Sequence, residues 1–168
     1  MTRTFTIDLE TGEQAERDFA KMLKKKMTTL KGVQKVDHKK FPYDLRVSIE
    51  TELGTVDRTV EVKSLAGGYP TACVEVWKDD AKTQRPQWYH PDVDIIAFQD
   101  RSADVWFLYQ AQPVIQFLKE YKGPLTRAKN GCRDASGWIG LFSWNPGLED
   151  KSLPGFVAMV KGETYGNV

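Results

Sequence analysis

Soft and borderline metal ligands are scarce in this sequence: its 168 residues include two cysteines and two histidines. Cys73 and Cys132 stand far apart, with no CxxC spacing and no histidine beside them. This argues against structural zinc and against a secreted module held by disulfides. The sequence expectation is that Cys73 is a small core residue and Cys132 a loop thiol. His38 and His90 fall on different segments, which leaves little support for a histidine-metal nuclease or a Ser/His/Asp triad; His90, in "WYHPD", is instead a loop candidate for a phosphate contact. No stretch of about 18 consecutive apolar residues occurs, and "MTRTFTIDLETGEQ" has no apolar core of signal-peptide length. The expectation is a soluble, unexported, cytoplasmic protein with no membrane partner. Net charge is also nearly absent, at +1, so no whole-molecule field announces a polyanionic partner. The glycines at Gly67 and Gly68 lack the lysine and hydroxyl residue of a P-loop, which argues against a nucleotide cofactor.

What is present is the material for one ordinary domain spanning 1–168, large enough to bury a core unaided. Its less assignable part runs from about 123 to 168. Positive charge is concentrated locally: Lys21, Lys24, Lys25, Lys26, Lys31, Lys35, Lys39 and Lys40 face one acid, Asp37, across that stretch. A second basic group, Arg127, Lys129 and Arg133, lies in a glycine-bearing loop. Both groups are candidates for tracking a phosphate backbone, though single surface lysines are more often only solvated.

In "TGEQAERDFAKMLKKKM", Ala15, Phe19, Met22 and Leu23 recur on one helical face. Thr11 and Gln14 offer a capping box at its start. Glu16 falls at the edge of the apolar stripe, from which its carboxylate can point along a sheet. Next, Tyr43, Leu45, Val47 and Ile49 alternate with Asp44, Arg46 and Ser48, and Val60 and Val62 alternate with Thr59, Glu61 and Lys63. A reversal between Glu52 and Leu53 pairs Leu45 with Val60 and Asp44 with Glu61. A slip of one residue would mix the polar and apolar faces, so the pattern selects the register.

Further strands are expected at "ACVEVW", "VDIIAF", "DVWFLYQ", "WIGLFSW" and "GFVAMV". A helix is expected at "PVIQFLKEY", with Val114, Phe117, Leu118 and Tyr121 on one side. A mixed sheet with helices packed against it is the simplest architecture. Most tryptophans read as core or rim, except Trp88, whose polar loop, shared with Tyr89, can reach a substrate.

Asp44, Glu61 and Lys63 thus share one face of a hairpin. Phosphodiester hydrolysis needs a hard cation held by oxygens, an acidified water and positive charge near the developing oxyanion. Asp44, Glu61 and the Val62 carbonyl can supply oxygens, and Lys63 the charge. Acid-x-lysine also occurs at Asp37, Asp80, Glu120 and Glu149, so the tripeptide alone carries little. Only the Glu61 copy sits in an alternating apolar strand opposite another acid. Pattern alone leaves both a metal site and a solvated acidic face open.

In order along the chain, "GEQAERDF", "PYDLRV" and "VEVKS" resemble the PD-(D/E)xK nuclease superfamily, especially its Holliday-junction-resolvase-like and phage-encoded members. The resemblance covers roughly the first two thirds of the sequence, with Tyr43 where the family pattern has proline. It implies an α/β, restriction-endonuclease-like core: a mixed central β-sheet flanked by α-helices. It further implies a magnesium- or manganese-dependent endonuclease acting on DNA, with Asp44, Glu61 and Lys63 as site residues, Glu16 assisting and Glu75 auxiliary. A homodimer is the simplest way to cut two strands with one site per chain. The competing expectation is a non-catalytic DNA-binding module of the same fold.

Overall fold

The computed structural model describes residues 3–65, 71–101, 103–127, 137–143 and 152–162. Helix α1 (Arg3–Lys26) begins well before the expected start at Thr11. Thr11 and Gly12 are interior residues, and the Gln14 amide donates to Asp18 Oδ1 at 2.6 Å on the helix surface instead of closing a cap. A glycine inside a helix costs about 1 kcal/mol, which tertiary packing overrides. Ala15, Phe19, Met22 and Leu23 form the buried stripe as expected.

Strand β1 (Leu30–Lys35) runs through the lysine-rich stretch after α1, where no strand was expected. Its apolar signal is thin: Gly32 interrupts it and the ladder shifts register between Leu30 and Gly32. The hairpin of β2 (Leu45–Thr51) and β3 (Gly54–Leu65) has the expected register, Leu45 opposite Val60, closing through Thr51 opposite Gly54. Gly54 adopts φ +116, a backbone that side-chain-bearing residues rarely adopt.

Strands β4 (Thr71–Trp77), β5 (Ile95–Asp100) and β6 (Val105–Gln110) lead to helix α2 (Ala111–Glu120), followed by β7 (Thr126–Arg127), β8 (Trp138–Ser143) and β9 (Phe156–Lys161). Two sheets result. One has six strands in the order β1-β2-β3-β5-β6-β9, and the other has three in the order β4-β8-β7. In the larger sheet β3 and β5 run parallel, whereas its other neighbours are antiparallel. The small sheet was not foreseen, although three of its segments read as strands or loop.

The larger sheet has an apolar layer on each face. Beneath α1, Leu45, Val47, Val60, Val62, Ala97 and Trp106 complete one cluster, with the Phe19 and Trp106 rings 5.0 Å apart. On the other face Ile96, Phe98 and Tyr109 pack with α2 and with Val74, Val76 and Phe142 of the small sheet. Helix α2 buries Ala111, Val114, Ile115 and Leu118, while Tyr121 lies beyond its end in an extended conformation. Alternation along β4 puts Val74 and Val76 inside and leaves Cys73 exposed, against the expected core position.

Arg85 fastens the small sheet to α2. Its guanidinium lies 3.4 Å from the centre of the Trp77 ring and donates to the carbonyls of Val76 at 3.0 Å, Leu118 at 3.4 Å and Lys119 at 3.1 Å. The last two belong to the end of a helix, where carbonyls lack intrahelical donors and a cation complements the dipole. Arg85→Met is expected to lower unfolding free energy by about 2 kcal/mol, read as a lower urea midpoint at unchanged slope.

Candidate functional site

The parallel pairing of β3 with β5 positions the site. Between these strands the chain forms β4 in the small sheet and returns through residues 78–94, which lays β4 and this return over the polar face of β3. The turn at residues 37–42 makes the opposite lip. Gln87 ties the lips together, its amide donating to the carbonyls of His38 at 3.0 Å and Phe41 at 3.3 Å. Between them is a cleft of about 230 Å³ lined by Asp44, Glu61, Lys63, Glu75 and Lys78, with His38, Phe41, Tyr43 and Trp88 among its walls.

Backbone hydrogen bonds fix the floor. The Asp44 amide donates to the Val60 carbonyl at 3.0 Å, and the Val62 amide donates to Asp44 Oδ2 at 2.8 Å. Asp44 therefore stands beside Glu61 on the face opposite α1, because their neighbours Leu45, Val60 and Val62 all point toward that helix. Both acids line the one cleft. Lys63 Nζ lies 2.5 Å from Glu61 Oε1. In register with Glu61 and Lys63 on β5 are Ile96 and Phe98, both fully buried, which explains why so little water reaches the acid.

Glu61 is 7 % exposed. Burial pushes its carboxyl up to about 7; the Lys63 charge opposes the rise and the nearby Asp44 carboxylate adds to it. For Lys63, desolvation pulls the ammonium down, but Glu61, Asp44 and Glu75 outweigh it and the net direction is up. Burial also raises Glu75, against Lys63 and Lys78. The result is a compact group of alternating charges in which Glu61 and Glu75 hold protons more tightly than in water and Lys63 keeps its own.

The remaining candidates are distributed unevenly. Glu75 reaches the cleft from β4, held there as the Tyr89 hydroxyl donates to its backbone carbonyl at 2.9 Å. Glu16 is on the α1 side of the sheet, where its Oε2, closed off from solvent, is 2.9 Å from Lys35 Nζ. Its carboxyl is raised first by burial, with a contribution from Asp44, so it senses the site from the neighbouring face. Lys24 and Lys25 stand in the last turn of α1, complementing its dipole. Lys39 and Lys40 are exposed on the lip between His38 and Phe41. Arg127 pairs with Asp80 at 3.2 Å on the small sheet, and Lys129, Arg133, Cys132 and Trp144 lie outside the described residues, as does the glycine pair Gly67 and Gly68. His90 is beside Asp92 at 3.6 Å and is not among the lining residues.

Sequence reasoning missed His38 and Lys78. His38 was hidden in a run of lysines, and Lys78 had no signal beyond following the β4 strand. Trp88 does line the cleft, but as a wall 3 % exposed rather than a projecting loop residue.

For a divalent cation, the donor chemistry of the floor fits. Asp44 and Glu61 are hard oxygen donors in mutual contact, and magnesium is commonly held by one or two carboxylates, retained waters and substrate phosphate. Among the described residues no group of three or more ligating side chains is gathered, so substrate and water would complete such a shell. Comparison with protein-family models, curated proteins and solved structures gives no match.

Proposed function

We propose that the protein is a metal-dependent endodeoxyribonuclease of the PD-(D/E)xK type, with its active centre at the floor of the cleft. The observation that carries this reading is the convergence of Asp44, Glu61 and Lys63 in a recess where the Glu61 carboxyl is raised to about 7. Buried acids brought together with a lysine are costly to fold and are concentrated where chemistry is done. Asp44 and Glu61 would hold magnesium or manganese, with the Val62 carbonyl an additional candidate ligand. Such a cation, when bound, supplies Lewis acidity and an acidified water.

The side chains have distinct duties. Asp44 is oriented by the Val62 amide, which leaves its reach set by β3 and not by its own rotamer freedom. Lys63, held in its ammonium form, serves as a cationic donor to a non-bridging phosphate oxygen and stabilises transition-state charge; a role as general base would require it to lose the proton its neighbours retain. Glu75 approaches Lys63 from the facing sheet and limits its orientation.

The second reading is a non-catalytic DNA-binding module. The Glu61–Lys63 ion pair at 2.5 Å favours it, since it already neutralises one carboxylate without a cation. Supercoiled plasmid, linear duplex, single strand and a four-way junction, incubated with magnesium or manganese, separate the two. Cleavage that EDTA stops is expected of the nuclease; DNA binding with no cutting under any metal condition establishes the module.

A further inference from the structure

Resting on the nuclease reading of the same cleft, we propose that its substrate is a single unpaired strand, with Phe41 as a stacking platform for a base at the mouth. The first observation is size. The space of about 230 Å³ lies below the roughly 300–1,000 Å³ of ordinary small-molecule sites, a scale that suits one phosphodiester unit. The second is closure: Gln87 bridges the two lips, and the acid at the floor is 7 % exposed. A backbone still paired to its complement is held off by the lips, whereas a separated strand can thread between them.

Chemistry at the mouth supplies the rest. Phe41 is 38 % exposed and is braced from behind by Tyr43, with ring centres 5.5 Å apart. An exposed aromatic face next to a cationic rim is how single strands are bound without sequence preference, and the rim here carries Lys39, Lys40 and Lys78. In the wall behind, the buried Trp88 Nε1–H has no acceptor among the described residues. A strand oxygen met by a tilt of that indole would satisfy it.

The test is fluorescence anisotropy with a labelled oligothymidylate and a hairpin duplex of equal charge, with calcium in place of magnesium. The strand is expected to bind at least about ten-fold more tightly than the duplex, and Phe41→Leu to lose about ten-fold on the strand while leaving duplex binding unchanged. Because Phe41 is exposed, the variant should fold, which circular dichroism checks. Equal affinity for both DNAs, or indifference to Phe41→Leu, overturns the inference. Cutting of duplex as fast as strand overturns it while leaving the nuclease reading standing. Strand preference with Phe41 dependence but no hydrolysis under any metal condition sustains single-strand recognition at this cleft, with the strand as ligand and not substrate, and removes the nuclease reading.

Discussion

Lys63→Ala is expected to reduce metal-dependent cleavage by at least about 10²- to 10³-fold, the cost typical of deleting one preorganised donor aimed at developing charge. The group is set up for that role by its surroundings: Glu61 holds it at 2.5 Å, and three carboxylates keep it charged against the pull of desolvation. Nothing else described at the floor can substitute, because Lys78 comes from the opposite sheet. The same change leaves Glu61 buried beside Asp44 without its counter-charge, so a modest loss of stability accompanies the loss of activity. Activity is therefore to be compared at a temperature where circular dichroism shows both proteins folded, alongside Lys63→Met, which keeps the aliphatic stem. Undiminished cleavage by a folded Lys63→Met protein would remove this lysine, and the assigned centre with it, from the mechanism.

The floor of the cleft was legible in the sequence and its roof was not. Period-two alternation in both arms of the β2–β3 hairpin admits one register, and that register alone brings Asp44 beside Glu61 and Lys63. Glu61 is also where a polar residue interrupts a face otherwise shared with Ile96 and Phe98, an interruption that pattern could detect but not explain. By contrast, β1 is built from "LKGVQK", whose pairing with β2 decides its structure more than its own composition does. The small sheet is made by contacts between β4 and β8, about sixty residues apart, and no local periodicity encodes which sheet a strand joins. That long-range choice is what delivers Glu75 and Lys78. Glu16 illustrates the intermediate case: helical spacing correctly set it at the stripe's edge, but its neighbour Lys35 belongs to a strand that the spacing did not disclose.

Glu61→Gln is expected to move stability and activity in opposite directions. In the metal-free protein the Glu61 carboxyl is raised from 4.5 to about 7 by burial, so between those pH values the native state holds a proton that the unfolded chain has released. Its contribution is fully present below about pH 4.5 and is lost as pH rises through 7. The loss is about 3 kcal/mol in total, because each pH unit between the two values is worth about 1.36 kcal/mol. Glu16 and Glu75 are raised as well and act with the same sign. Glutamine keeps the volume and removes the titration, so in EDTA the variant should be more stable than the wild type at pH 8, with the advantage shrinking toward pH 5. Magnesium should then raise the wild-type melting temperature more at pH 8 than at pH 6, where a proton competes for the same oxygens, and should do little for Glu61→Gln, which should also be inactive in cleavage. Urea titrations at pH 5, 6.5 and 8 in EDTA read the stability effects, melting curves at pH 6 and 8 with and without magnesium read the cation's contribution, and plasmid cleavage reads activity. A wild-type protein whose stability is flat with pH in EDTA would mean that Glu61 reaches water more freely than its burial indicates. A Gln variant stabilised by magnesium as strongly as the wild type would place the cation away from this carboxylate.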